Sequence, residues 1–366
     1  MNYSLHIGRY AGIPVKIHWT FGIMILFIAG YGISNGVVGM DLVRFMALVF
    51  TLYFCVILHE YGHALSARRY NVATIDIIIS PIGGLARLEK LPEKPLHEMI
   101  VAIAGPLVNV AIVLVLGVGL WIAHSGDMSI FTSADILDKT SEVTFSDYVV
   151  AVIGLNLVLF LFNLIPAFPM DGGRILRALL SIKLGRARGT YIASIIGRVL
   201  AVIFIILGIL MSQYMWAFVG YFVFMMARKE YKNVAIEEAL KATYVHQLYS
   251  QKFSTCHYST IIKDAREIYS LDKNRYTIIV NEDQSPVGIL SDKILMKYIN
   301  DGNNLHETVE RIMSNTVILT SLNSNLKTVV DNMREKETNV AIVLENDSLA
   351  LAGIIDYTLI KQKKTT

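Results

Sequence analysis

Up to about residue 230 the chain is a series of long apolar runs, near 17–34, 43–66, 99–123, 148–165, 190–211 and 213–228. Beyond that point apolar and charged residues alternate as they do in a water-soluble domain. A helix needs roughly 20 apolar residues to cross a hydrocarbon core of about 30 Å, and the runs approach that length. They predict an α-helical polytopic membrane domain with six transmembrane helices. Only Ser212 and Gln213 part the last two runs, so five spans with one re-entrant piece is the alternative count. Two segments break the helical pattern, SLHIGRYAGIPVKIHW near the start and TIDIIISPIGGLARLE after the second run. Their β-branched residues and Gly/Pro punctuation predict short strands forming a small β element. That element is either a structural hairpin or an edge, such as 75–79, on which an extended peptide docks by backbone pairing.

The tail repeats itself. RYTIIVNEDQSPVGILS (275–291) parallels NVAIVLENDSLALAGIID (339–356), each an apolar strand, a polar turn and a second strand, and the amphipathic stretches IIKDAREIYS and LKTVVDNMRE precede them at matching distances. Duplication of this kind predicts two α+β units packed on one another. The expected division is a membrane domain over 1–230, a helical linker over 231–250 containing NVAIEEALKAT, and a cytosolic repeat pair over 251–366.

Composition sharpens the membrane reading: 54% of the 366 residues are hydrophobic, 17% are charged, and the mean hydropathy is +0.50. Such values lie well outside those of ordinary soluble domains. The net charge of +3 comes with no basic cluster interleaved with aromatics, which excludes nucleic acid as an expected partner. Cys55 and Cys256 form neither a CxxC pair nor a ligand spacing, so no disulfide framework or thiolate metal site is expected. No small-residue cleavage site follows the first apolar run, and that run is expected to be retained.

Basic residues set the orientation. Arg9 and Lys16, then Arg68, Arg69, Arg87, Lys90 and Lys94, then Arg174, Arg177, Lys183, Arg186 and Arg188, then Arg228, Lys229 and Lys232 alternate with ends that hold only Arg44 and Lys139. The 124–147 loop is acidic through Asp127, Asp135, Asp138, Glu142 and Asp147. Positive charge gathers on the cytoplasmic side of membrane proteins, so both termini and the repeat pair are expected there, in a multi-pass protein of the cell membrane.

Chemistry is concentrated in two places. VILHEYGHAL sets His59 and His63 four residues apart on a predicted helix, where their imidazoles share a face and can hold one metal ion. Glu60 lies beside that face, placed to take a proton from water as in HExxH metalloproteases. An ionisable cluster more than halfway along an apolar span marks a functional site, the alternative being a histidine pair bonded to backbone with a neutral Glu60. A catalytic zinc takes three protein ligands, and NLIPAFPMDGGR supplies a third at membrane depth. Pro166 and Pro169 cannot continue a helix, so the fourth span is expected to break and turn Asp171 inward, with Gly172 and Gly173 permitting close backbone approach. Broken backbone at such depth needs an enclosed cavity. The alternative for Asp171 is a simple turn cap. With Asp171 as a ligand and Glu60 beside the metal as the base, the charges balance: one divalent ion offsets the two ionised carboxylates.

On these residues the chain resembles the site-2 protease family of intramembrane metalloproteases. HEYGH is similar to its HExxH, NLIPAFPMDGGR to its Asn-x-x-Pro-x-x-Pro-x-Asp-Gly signature, AGPLVN (104–109) to its Gly-Pro-x-x-Asn element and PIGG (81–84) to its glycine pair, in the family's order, over about residues 8–230. The resemblance implies one zinc ion held by His59, His63 and Asp171, Glu60 as the catalytic base, and Asn163 and Asn109 as substrate or oxyanion contacts. It also implies transmembrane protein substrates, cut within the bilayer, often to release membrane-held regulators. Without the family, each Asn is equally an interhelical hydrogen-bonding residue.

The tail resembles a pair of cystathionine-beta-synthase (CBS) domains. Such pairs often bind adenine nucleotides through Ser/Thr followed three residues later by Asp. Here Ser291 is followed by Ile294, and Asp356 by Leu359. This departure favours a structural pair, or one that forms a homodimer, over a nucleotide sensor. Two rivals are weaker. A multi-span prenyl-protein peptidase takes Glu as third ligand, against PxDGG. A CBS-gated metal transporter needs a polar path through both leaflets, yet no carboxylate falls in the outer half of any run.

Overall fold

A computed structural model describes residues 4–362 apart from 82, 91, 93, 128–130, 132–143, 273 and 346–349. Lys139 and the acidic residues Asp135, Asp138 and Glu142 of the sequence reading lie outside the described residues. The chain divides into two compact units, Met1–Val234 and Ala235–Thr366.

The first unit opens with a strand pair, β1 (Ser4–Tyr10) and β2 (Ile13–His18), joined where Ala11 and Gly12 take positive φ. Helices α1 (Trp19–Ser34) and α2 (Gly39–Arg68) follow, then β3 (Thr74–Ser80) and β4 (Gly83–Leu88). The four strands form one sheet in the order β1-β2-β3-β4. β3 pairs in parallel with β2, Val15 opposite Ile77, and antiparallel with β4, Ile77 opposite Ala86. The expectation that 75–79 offers an open edge is therefore corrected. Both sides of β3 are taken, and the open edge on this side of the sheet belongs to β4. Strand alternation explains the two faces. Ile77 packs with Ile13 and Ala64 of α2, and Ile79 with Val15 and Phe21. Asp76 is fully buried, accepting from Arg87 Nε and Nη2 at 2.6 Å each and from Lys16 Nζ at 2.7 Å. The Arg87 hydrogen bonds, reinforced by Lys16, hold the Asp76 carboxyl below its ordinary range despite burial.

Four described helices are long and apolar enough to cross a membrane: α2, α3 (Pro95–Ala123), α4 (Phe145–Asn163) and α6 (Arg186–Leu210). α1 is apolar but has 16 residues, about 24 Å of helix. The last apolar run and the first part of the expected linker form one continuous helix, α7 (Tyr214–Ala242), carrying Arg228, Lys229 and Glu230 in its length, and the rest of the linker, 243–250, lies beyond its end. The chain leaves α4 at Asn163 and re-enters helix at Asp171 as α5 (Asp171–Leu184).

The second unit is built twice on one plan. β5 (Ser254–His257), α8 (Ile262–Asp272), β6 (Tyr276–Val280), β7 (Pro286–Ser291) and α9 (Asp292–Asn300) are matched by β8 (Leu319–Ser321), α10 (Leu326–Glu335), β9 (Val340–Leu344), β10 (Leu351–Asp356) and α11 (Tyr357–Gln362). Each half makes a three-stranded sheet with a parallel and an antiparallel pair. The halves share a core in which Tyr276, Ile278, Val280 and Ile289 meet Val340, Ile342 and Ile354. Neither half could bury those side chains alone.

Candidate metal centre

Four-residue spacing on α2 places Cys55, His59 and His63 along one buried stripe. α3 crosses that stripe closely because glycines meet it. A Cβ on Gly62 of α2 would lie 2.6 Å from the Ala104 carbonyl oxygen, and one on Gly105 of α3 would lie 2.2 Å from His63 Nε2 and 2.7 Å from His59 Nε2. Asp171 arrives from the other side. The loop between α4 and α5 folds over the first turn of α5, burying Ala167 and Phe168, and Gly172 lies where a Cβ would be 2.3 Å from the Leu164 carbonyl. Asp171 then sits at the first position of α5, buried.

The result is a triangle of three donor atoms. His59 Nε2, His63 Nε2 and Asp171 Oδ2 lie 3.1 Å from one another on all three sides. The far nitrogen of each ring is in use: His63 Nδ1 lies 2.8 Å from the Val101 carbonyl, an obligate acceptor, and His59 Nδ1 lies 3.2 Å from Asn109 Oδ1. Both Nδ1 atoms therefore carry the proton, and both Nε2 lone pairs face each other and a carboxylate oxygen. Three electron-pair donors converging in a buried space repel one another unless a cation lies between them. Tetrahedral bonds of about 2.0–2.1 Å set neighbouring donors about 3.3 Å apart, close to the observed triangle. Two imidazoles, a carboxylate and their back-side acceptors fit a zinc ion.

The other expected site residues are placed differently. Glu60 faces β4, and its Oε2 accepts from the Ala86 backbone N–H at 2.7 Å. Asn109 is fully buried behind His59, and its Nδ2 has no hydrogen-bond partner among the described residues. Asn163 ends α4 half-buried, its Nδ2 donating to the Leu159 carbonyl at 3.0 Å.

Sequence reasoning overlooked a buried charge cluster beneath the site. Arg177 reads in the sequence as one of the interfacial cations, yet it is fully buried. Its Nε donates to Glu98 of α3 at 2.7 Å, its Nη1 donates to Glu230 of α7, and its guanidinium lies 5.1 Å over the Phe168 ring. It ties the loop that delivers Asp171 to two neighbouring helices. A lone Glu98 at the head of an apolar run was the available signal, since a carboxylate there needs a cationic partner. The Val101 carbonyl left no signal, because any residue supplies one.

In the second unit, Asp356 is buried. It accepts from Arg275 Nη1 at 2.9 Å, from Thr358 Oγ1 at 2.8 Å and from the Thr358 N–H at 3.0 Å, while Ser291 caps α9 through the Ile294 N–H. Both groups at the expected nucleotide hydroxyl positions are satisfied by the chain itself.

A His-x-x-x-His helix, a carboxylate from a broken helix and helices long and apolar enough to cross a membrane make this a candidate metal centre of the HExxH type. Residues 47–126 and 122–207 match the Peptidase family M50 model, and residues 245–301 match the CBS domain. A zinc metalloprotease of Methanocaldococcus jannaschii is 39% identical over 66% of this chain and 64% of its own length. A putative zinc metalloprotease of Synechocystis is 26% identical over 89% of this chain and 86% of its own. The solved site-2 protease from Methanocaldococcus jannaschii is 38% identical with a TM-score of 0.45, covering 63% of this chain and 95% of that one. Over residues 47–207 the membrane unit therefore matches peptidase family M50, its relatives bear the name zinc metalloprotease, and a match to the CBS domain follows it. The chain spans just under two thirds of the length of the first of these relatives.

Proposed function

We propose that the chain is an intramembrane endopeptidase that hydrolyses peptide bonds of transmembrane protein substrates at a single zinc ion held by His59, His63 and Asp171. The observation that carries this reading is the buried triangle of donor atoms, 3.1 Å on each side, with both far ring nitrogens tied back. When bound, zinc supplies Lewis-acid polarisation of the scissile carbonyl and acidification of water. Glu60 takes the proton as the water oxygen adds to the carbonyl carbon. It then returns that proton to the amide nitrogen, and the C–N bond breaks to give a carboxylic acid and an amine, which pass the remaining proton between them as carboxylate and ammonium. Asn109 holds the His59 ring in its donor tautomer. Asn163 has spent its Nδ2 on Leu159, so its Oδ1 remains to accept a substrate N–H. A substrate helix must unwind before its carbonyls are accessible, and the open edge of β4 suits the extended form. α1 and α7 complete a six-span bundle with cytoplasmic termini, and the CBS pair is the surface for a homodimer.

The test separates base from ligand. In the intact protein in vesicles, Glu60→Gln keeps one equivalent of zinc and loses cleavage of a model transmembrane peptide by at least about 100-fold. Asp171→Ala loses both. Full zinc occupancy in the Asp171 variant would remove Asp171 from the ligand set, and near-normal turnover by Glu60→Gln would end the mechanism.

A further inference from the structure

The base assigned to the reaction is engaged elsewhere in this structure. Glu60 is adjacent in sequence to His59, yet its carboxylate is bonded to a backbone donor of β4, and its Cγ stands where a Cβ on Gly84 would come within 2.6 Å. β4 is an edge strand. Its antiparallel register with β3 pairs Ser80 with Gly83, Ile78 with Leu85, and Ile77 with Ala86. Hydrogen-bonded and non-hydrogen-bonded pairs alternate in such a ladder. Because the Ala86 N–H bonds Glu60, the Ile77–Ala86 pair is a non-bonded one. The Ala86 N–H thus points out of the sheet, along the row an added strand would use, and the Gly84 N–H points the same way. The carboxylate of Glu60 occupies a place that a peptide carbonyl of an extended ligand would take.

We propose that the Ala86 N–H is a substrate-binding donor latched to Glu60 in the resting protein. An extended substrate segment pairing with β4 places a carbonyl on Ala86 and so releases the Glu60 carboxylate toward the water it must deprotonate. The base is set free by the arrival of a strand, and segments that remain helical do not free it. This rests on the peptidase reading above, strand pairing at β4 included, and adds to it the release of Glu60 from the Ala86 N–H as the step that pairing brings about. The exchange costs little: one charge-assisted hydrogen bond is traded for a neutral one, with further backbone pairs along the edge offsetting the difference.

Ala86→Pro removes the donor while leaving the ladder to β3 intact, and proline is tolerated on the outer side of an edge strand. With the full chain in vesicles, the variant is expected to raise KM for a transmembrane peptide by about tenfold or more while kcat is kept or rises. It should also hydrolyse a capped dipeptide, too short to pair with the strand, faster than the unsubstituted enzyme. Gly84→Ala provides the second arm. It pushes Glu60 off the strand and leaves the Ala86 donor in place, so short-peptide hydrolysis rises with KM for the long substrate no worse. A fall in kcat with KM unchanged in Ala86→Pro, together with slower dipeptide hydrolysis in both variants, would show that Ala86 merely positions the base and would overturn the latch. An unsubstituted chain that cleaves no peptide would instead overturn the peptidase reading itself.

Discussion

Gly105 is the position where one methyl group tests the metal centre most directly. In Gly105→Ala the new Cβ would fall 2.2 Å from His63 Nε2 and 2.7 Å from His59 Nε2, whereas ordinary contact begins at 3.4 Å. One imidazole or the α3 backbone must give by about 1.2 Å, several times the roughly 0.2 Å tolerance of metal–ligand distances. α3 cannot simply retreat, because it is packed against α4 and α5 as well as α2. His63 cannot swing freely either, being anchored by the Val101 carbonyl at 2.8 Å. Overpacking of this size costs about 1–3 kcal/mol of stability, which the fold should survive. The donor triangle should not survive it, and zinc affinity is expected to fall by about 100-fold or more. The assay is zinc content by atomic absorption on detergent-purified protein, titrated against a chelator of known affinity, with helicity by circular dichroism as the control for folding. Helical protein that retains one zinc and normal peptide cleavage would refute the reasoning, since it would mean that these three donors are not the ones holding the metal.

Three further outcomes are expected. Asp76, whose carboxyl is held below its usual range by Arg87 and Lys16, stabilises the sheet above the unfolded-state pKa near 3.8, and this contribution is lost as pH falls through the lower folded value; Asp76→Asn should therefore cost about 2 kcal/mol at neutral pH, with the gap to the unsubstituted protein closing in acid, as read from urea midpoints at each pH. Calorimetry of the intact chain with ATP or AMP should show no micromolar binding, because Asp356 is already bonded to Arg275 and Thr358; a micromolar constant would restore the nucleotide-sensor reading. His59 lies about 14 Å along α2 from Arg68 and about 30 Å from Gly39, so a hydrophilic chelator should inactivate inside-out vesicles much faster than right-side-out ones; the reverse order would invert the proposed topology.

Much of this molecule is legible along the chain because its signals are local. Helix periodicity alone puts His59 and His63 on one stripe. The prolines of NLIPAFPMDGGR end a helix wherever they occur, and the tail repeats its own pattern so plainly that its two halves align by eye. What the linear text could not decide is which groups meet across long separations. β3 loses its edge because β2, some sixty residues earlier, pairs with one side and β4 with the other. Arg177 looks interfacial until Glu98 and Glu230 are brought to it from two other helices. The histidine tautomers rest on a carbonyl of α3 and the amide of Asn109, and the resting place of Glu60 rests on one outward-facing N–H of a strand. Helix periodicity and breakage follow from backbone geometry a residue at a time, whereas burial, charge pairing and strand edges are properties of neighbours that only the folded chain assembles.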